Sequence, residues 1–262
     1  MKGKVIETTD EVRLATYSDG STTSPTVVLS SSLGADATMW WPQVPALAER
    51  FHVLRYDARG HGQSDAGASP MTIERAGRDV LDILDAYDIE STHLVGLSLG
   101  GMVAQWLAAN APERIERLVL ANTAPVIGTA SGWADRIARV RAGGVAAIAD
   151  ELLARWFSGP FRESAPDVIA RARAMLLSTS TEGYAETCAM IQGLDLHDAD
   201  ARIGAPTLLV AGTEDVATTP EDVRAIGRAM RSPPELVTLA AAHLSNIEAG
   251  ASFTRALLGF LS

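Results

Sequence analysis

Three features of the 262-residue chain predict an α/β fold: a mostly parallel eight-stranded sheet flanked by helices, with a helical insertion after the sixth strand. Short β-branched runs alternate with amphipathic stretches at the rhythm of strand–helix–strand units, whose crossovers are right-handed. That rhythm breaks after Ala121, where residues 124–195 carry helical patterns and no convincing strand, and it resumes at Pro206. The composition, 47% hydrophobic and 21% charged, is that of an ordinary globular chain long enough to bury a large core.

Residues 5–8 and 12–17 read as short strands around a Thr-Asp turn, followed by the turn-rich connector Asp19-Gly20-Ser21-Thr22-Thr23-Ser24-Pro25. Thr26–Ser30 is a continuous β-branched run, as expected of a strand covered on both faces. Residues 41–50 predict a short helix with Pro42 in its first turn, and His52–Tyr56 the next strand. Over 72–87, Val80, Leu81, Leu84 and Tyr87 recur at helical spacing behind Thr72 as N-cap. A strand over 92–96 turns sharply at Ser98 into a helix over Leu99–Asn110, and Ile115–Ala121 is the sixth strand. In the insertion, residues 133–140, 145–156, 166–178 and 182–193 each read as helix. The sheet resumes with a strand over 206–211, a helix over 220–230, the strand Glu235–Leu239 and a helix over 245–261 that opens on a capping-box pattern, Ser245-Asn246-Ile247-Glu248. Residues 1–123 and 196–262 are thus expected to form the core, and 124–195 a helical cap that is not an independent domain.

The formal net charge of −10 disfavours nucleic acid and anionic membranes as partners. A small molecule is the expected partner, and a carboxylate on it would need local Arg or Lys. Cys188 is the single cysteine, so no intrachain disulfide can form, and a buried core position is its expected role. Residues 1–5 carry no apolar leader and no run of about 20 apolar residues occurs, so the expected location is the cytoplasm. No metal or organic cofactor is implied, and oligomeric state is not legible.

Gly96-Leu97-Ser98-Leu99-Gly100 matches G-x-S-x-G, the pattern of a serine exposed on a tight strand-to-helix turn. Glycines two residues to either side remove Cβ atoms that would clash in such a turn. A lone match is weak, because the residues are common. Its weight comes from the strand before it, the helix after it, and an acid and a histidine downstream. Serine needs an adjacent base, usually His, held in the right tautomer by a carboxylate. Of five histidines, His52, His61, His93, His197 and His243, only His243 follows the last predicted strand. Loops at the carboxyl ends of parallel strands are where such sheets carry function. Asp215, after the strand over 206–211, is the expected acid, with Glu214 as runner-up. Asp195, Asp198 and Asp200 read as a solvated helix end, and the position after the sixth strand holds Asn122-Thr123, without a carboxylate. The backbone N–H groups of Leu99 and Leu33 are the expected donors to a developing oxyanion. Asp57 looks catalytic by type but precedes Ser98, and anchoring the turn Arg59-Gly60-His61-Gly62 is its expected role. Trp40, Trp133, Arg136 and Met190 are candidates for the substrate pocket, as are Trp156, Arg139, Arg155 and Arg162. Core packing competes for the aromatics and a solvated helix face for the arginines.

With Ser98, Asp215 and His243 in this order, the chain resembles the α/β-hydrolase fold family. More narrowly, it is similar to 3-oxoadipate enol-lactonases across Ser31-Ser32-Leu33-Gly34-Ala35-Asp36-Ala37-Thr38-Met39-Trp40, Leu54-Arg55-Tyr56-Asp57-Ala58-Arg59-Gly60-His61-Gly62, Gly96 to Trp106 and Ala242-His243-Leu244-Ser245-Asn246-Ile247-Glu248. The resemblance implies a hydrolase of the β-ketoadipate (protocatechuate/catechol) pathway. Ser98 would attack the lactone carbonyl, His243 take its proton and Asp215 orient the imidazole. A carboxylesterase or another lactonase of the same fold is the alternative; a non-catalytic binding protein would have no need of all three side chains. The chain departs from the family at Asp215-Val216-Ala217-Thr218-Thr219-Pro220, where many members have Asp-Pro-Ala-Thr-Pro-Pro, and over residues 10–24.

Overall fold

In the computed structural model, which describes residues 2–67 and 70–262, the β-branched runs become β1 (Lys2–Glu7), β2 (Arg13–Asp19), β3 (Thr26–Ser30), β4 (His52–Tyr56), β5 (Thr92–Leu97), β6 (Ile115–Ala121), β7 (Thr207–Gly212) and β8 (Glu235–Leu239). Met1, where the leader reading begins, lies outside the described residues. The strands form one sheet in the order β1-β2-β4-β3-β5-β6-β7-β8. β2 runs antiparallel to β1 and β4, and every other pairing is parallel. Successive side chains leave a strand on opposite faces, so Val27 and Leu29 enter one apolar cluster and Val28 the other. Burial on both faces is why these strands read as unbroken apolar runs.

The helices are α1 (Val44–Leu47), α2 (Ile73–Ala86), α3 (Leu99–Asn110), α4 (Ala130–Gly143), α5 (Ala149–Trp156), α6 (Gly159–Ser164), α7 (Pro166–Leu177), α8 (Thr181–Gln192), α9 (His197–Asp200), α10 (Pro220–Ala229), α11 (Ser245–Glu248) and α12 (Gly250–Leu261). Thr72 caps α2 as expected, its Oγ1 accepting from Arg75 N–H. The expected helix over 41–50 is instead a 3₁₀ turn (Ala37–Trp40) and the short α1. Pro45 has no N–H to offer the carbonyl of Trp41, so a helix cannot run through from residue 41. The helix expected over 245–261 breaks at Ala249. Ser245 and Glu248 make no capping box either, because both side chains serve tertiary partners.

The helical insertion α4 to α8 leaves the core after β6 and returns before β7. Its ends are tied by Leu196 N–H donating to Pro125 O at 3.0 Å. Trp133, Val140, Leu152, Trp156 and Tyr184 join the apolar cluster that also contains Val27, Val95 and Val119, so the insertion and one face of the sheet share a core. Among the described residues, no helix is long and apolar enough to cross a membrane.

Candidate active site

The turn from β5 into α3 places Ser98 at φ +56°, a region that non-glycine residues rarely occupy and that persists only where surrounding structure enforces it. A Cβ at Gly96 would sit 2.2 Å from Gly100 O, and one at Gly100 2.1 Å from Ser30 O, so both glycines are required by close backbone approach. Ser98 N–H donates to Ala121 O at 2.9 Å, and Thr123 Oγ1 donates to Ser98 O at 2.8 Å, which fastens the turn to the end of β6.

The structure brings Ser98, His243 and Asp215 into one line. Ser98 Oγ lies 2.9 Å from His243 Nε2, and His243 Nδ1 lies 2.8 Å from Asp215 Oδ2. With Nδ1–H donating to the carboxylate, Nε2 is free to accept from the serine hydroxyl. All three residues are buried. Asp215 Oδ1 accepts from the N–H groups of Ala217 (2.8 Å) and Thr218 (3.0 Å). Its Oδ2 also accepts from Thr218 Oγ1 (2.8 Å) and Asn122 Nδ2 (2.9 Å). Burial pushes this carboxyl up, but the charge and hydrogen bond of His243, with the hydrogen bonds of Asn122 and the Thr218 backbone, outweigh it and hold the group at about 2. Glu214 is exposed and takes no part.

Among the described residues, neither Leu33 N–H nor Leu99 N–H donates to a protein acceptor. The loop carrying Leu33 is held from several sides. Gly34 N–H donates to His61 Nε2 at 3.1 Å, Ala37 N–H to Asp57 Oδ1 at 2.8 Å, and Trp40 Nε1 to Ser31 Oγ at 3.2 Å. Asp57 Oδ2 accepts from Gln63 N–H at 2.9 Å, the turn-anchoring role expected of it. Burial lowers His61 toward its neutral form, which is the form that can accept from Gly34.

Ser98, His243 and Leu33 line a cavity of about 350 Å³ whose far wall is the insertion: Trp133, Arg136, Arg139, Arg155, Trp156 and Tyr184. Trp40 does not line it. The Trp40 ring is fully buried 6.2 Å from Phe253 and packs in the core rather than against the cavity. Met190 does not line it either; it faces a smaller cavity behind Leu99, and Arg162 lies away from both. Arg139 is paired with Glu151 (2.9 Å) and Asp135 (3.7 Å). Arg136 has no carboxylate partner among the described residues and lies 4.7 Å above the Trp133 ring. Beside it, the Tyr184 hydroxyl is buried and interacts with the Arg136 guanidinium without a well-formed hydrogen bond.

Two further placements differ from expectation. Asp195 pairs with His197 at the surface, but Asp200 is fully buried with both oxygens unpartnered, and burial raises it to about 7. Asn122, passed over because it is not an acid, touches the acid. Its signal was the strand end it occupies. Among the described residues, Asp10, Asp79 and Asp82 have metal-like spacing, but Arg59 and Arg75 already pair with them at 2.6 Å.

A family model described as alpha/beta hydrolase fold matches residues 25–250. The chain is 37% identical to the 3-oxoadipate enol-lactonase 1 of Acinetobacter baylyi over 95% of its own length and 92% of that protein. It is 33% identical to a putative carbamate hydrolase of Variovorax paradoxus, covering 90% and 91%. A crystal structure of the enol-lactonase from Burkholderia xenovorans aligns with a TM-score of 0.96 at 40% identity, over 98% of this chain and 99% of that one.

Proposed function

The chain belongs to the alpha/beta hydrolase fold family and is an ester hydrolase; from that premise we propose that it opens a small carboxylate-bearing enol-lactone, 3-oxoadipate enol-lactone, as a step of the β-ketoadipate pathway. Ser98 Oγ attacks the lactone carbonyl while His243 Nε2 takes its proton. Asp215 keeps Nδ1 protonated and steadies the imidazolium that forms. The N–H groups of Leu33 and Leu99 stabilise the oxyanion; Leu99 also starts α3, where the helix dipole favours negative charge. The ring C–O bond then breaks, the enol oxygen receives the proton from His243, and the enol relaxes to the ketone. Water, deprotonated by His243, attacks the acyl-enzyme and releases Ser98 and the 3-oxo diacid. Residues 124–195 act as the cap that closes the far side of the site.

The observation that carries the substrate class is Arg136. It stands in the wall of the cavity that holds Ser98 and His243, stacked on Trp133 and without a carboxylate of its own. A guanidinium in that position suits a carboxylate on the substrate. The enol-lactonases among the relatives support the same reading. The test compares kcat/KM for the enol-lactone with that for neutral p-nitrophenyl acetate. A preference of several orders of magnitude for the lactone is expected, and a preference for the neutral ester overturns the substrate while leaving the hydrolase intact. A fluorophosphonate that labels the wild type but not Ser98→Ala identifies the nucleophile.

A further inference from the structure

Three loops have to meet for the Ser98–His243–Asp215 line to exist: the turn after β5, the loop after β7 and the loop after β8. The end of β6 lies between the first two in the sheet, and there the chain places Asn122, fully buried at φ +44°. Asn tolerates this left-handed conformation better than most side chains. Its N–H continues the ladder to Val210 O at 2.8 Å, so the backbone is fixed by β7. The carboxamide is held from two loops. Nδ2 donates to Asp215 Oδ2 at 2.9 Å and approaches Ala242 O at 3.3 Å, while Oδ1 accepts from Ser245 Oγ at 2.5 Å.

We infer that Asn122 is a positioning residue for this site: it aims the Asp215 carboxylate at His243, and Ser245, two residues after the base, sets which end of the Asn122 amide faces the acid. The role of Ser245 follows from donor and acceptor bookkeeping. A carboxamide flipped end for end would set Oδ1 against the carboxylate, two acceptors facing each other. The Ser245 hydroxyl, donating to Oδ1, holds the amide the other way round. One side chain therefore joins the acid loop to the histidine loop. The contact also favours the ionised carboxylate, in the same direction as the low value of Asp215. A second donor reaches the same oxygen, Thr218 Oγ1, which also lies 3.3 Å from His243 Nδ1, but it stands on the acid's own loop and has no part in orienting the Asn122 amide.

This inference rests on the hydrolase reading of Ser98, His243 and Asp215, so the experiment begins with the wild type. If wild-type protein neither labels with a fluorophosphonate nor hydrolyses p-nitrophenyl acetate, that reading falls and takes this inference with it. With an active wild type, pH profiles of kcat/KM for p-nitrophenyl acetate are measured for Asn122→Gly, Asn122→Asp, Ser245→Ala and the double variant Asn122→Gly/Ser245→Ala, each normalised to labelled serine. Asn122→Gly relieves the backbone conformation and removes the amide with its methylene, and it is expected to cost about ten- to a hundredfold, the scale of a hydrogen bond to a charged group. The acid limb, which reports the Asp215–His243 pair as a unit, is expected to move to higher pH. Asn122→Asp preserves the shape but sets a second carboxylate against Asp215, and should move the limb further, by about one unit or more. Ser245→Ala alone should cost less than Asn122→Gly, and the double variant no more than Asn122→Gly, because Ser245 acts through Asn122. Unmoved limbs in both Asn122 variants, or costs of Ser245→Ala and Asn122→Gly that multiply, overturn the inference. If Asn122→Gly does not fold, the shape-preserving Asn122→Asp and Ser245→Ala decide it: an unmoved limb in Asn122→Asp together with full activity in Ser245→Ala overturns it.

Discussion

The two walls of the cavity use their polar groups differently. On the sheet side, every polar atom of the Ser98–His243–Asp215 line has a partner, and Asp215 alone accepts five hydrogen bonds. On the insertion side, among the described residues, Arg136 has no carboxylate at ion-pair distance and the buried Tyr184 hydroxyl makes no well-formed hydrogen bond. Buried polar groups cost free energy unless they are hydrogen-bonded. A wall that leaves a guanidinium and a hydroxyl without a full set of partners is therefore suited to something that enters from outside, whereas the opposite wall completes its side-chain line and leaves open the backbone N–H groups of Leu33 and Leu99. Reaction geometry is preorganised in one region, and recognition is left open in the other.

The largest effect expected from this contrast is on the sheet-side wall. Asp215→Asn should retain the fold but lose about 10⁴ in kcat, because the amide favours the wrong imidazole tautomer. Circular dichroism and steady-state turnover of the purified variant check it, and near-normal turnover would show that the partnered line is not what sets the rate. On the open wall, the prediction is a loss in binding rather than in chemistry. Arg136→Gln should raise KM for a carboxylate-bearing lactone by about ten- to a hundredfold, the scale of a charge-assisted hydrogen bond. Its kcat/KM for p-nitrophenyl acetate should stay within about threefold. Equal losses on both substrates would mean that Arg136 supports the wall and does not read the carboxylate. Tyr184→Phe should be milder, about three- to tenfold in KM for the lactone. Its melting temperature should be unchanged or higher, since the hydroxyl removed makes no well-formed hydrogen bond in the free protein. A clear loss of thermal stability would show that the hydroxyl is already matched.

The same contrast explains what the sequence could reveal. The turn at Ser98 was legible because its glycines answer to local sterics: a Cβ at either one strikes backbone within about five residues of the turn or in the adjacent strand β3. Asp215 and His243 were legible because parallel strands deliver their loops to one edge. Trp40 was not, since nothing in a loop's composition says whether an aromatic faces the cavity or the core behind it. Ser245 and Glu248 matched a helix-capping pattern, yet Ser245 binds Asn122, and Glu248 accepts from Ala242 N–H and from Ser158 of the insertion. The residue types suited to capping a helix are equally suited to fastening a loop, and the spacing does not distinguish the two uses. The helices α6 and α9 are too short to carry a periodic signal.

Asp200 is where the contrast can be broken, because it is an unmatched buried group that does not line the substrate cavity. It closes α9, at the return from the insertion to the core. Burial raises it from 3.8 to about 7, so the folded protein retains a proton there that the unfolded chain releases near 3.8. Between those values the folded state binds more protons than the unfolded state, and stability must fall as pH rises, levelling off above about 7. At about 1.36 kcal/mol per pH unit the loss is bounded near 4 kcal/mol, less whatever local hydration recovers. Asp200→Asn removes the ionisation without changing the shape. Its melting temperature should match that of the wild type near pH 4 and exceed it by a few degrees at pH 8, with turnover at pH 8 unchanged. Parallel melting curves across that range would mean that Asp200 finds a partner or water in solution, and it would no longer stand against the contrast between the two walls.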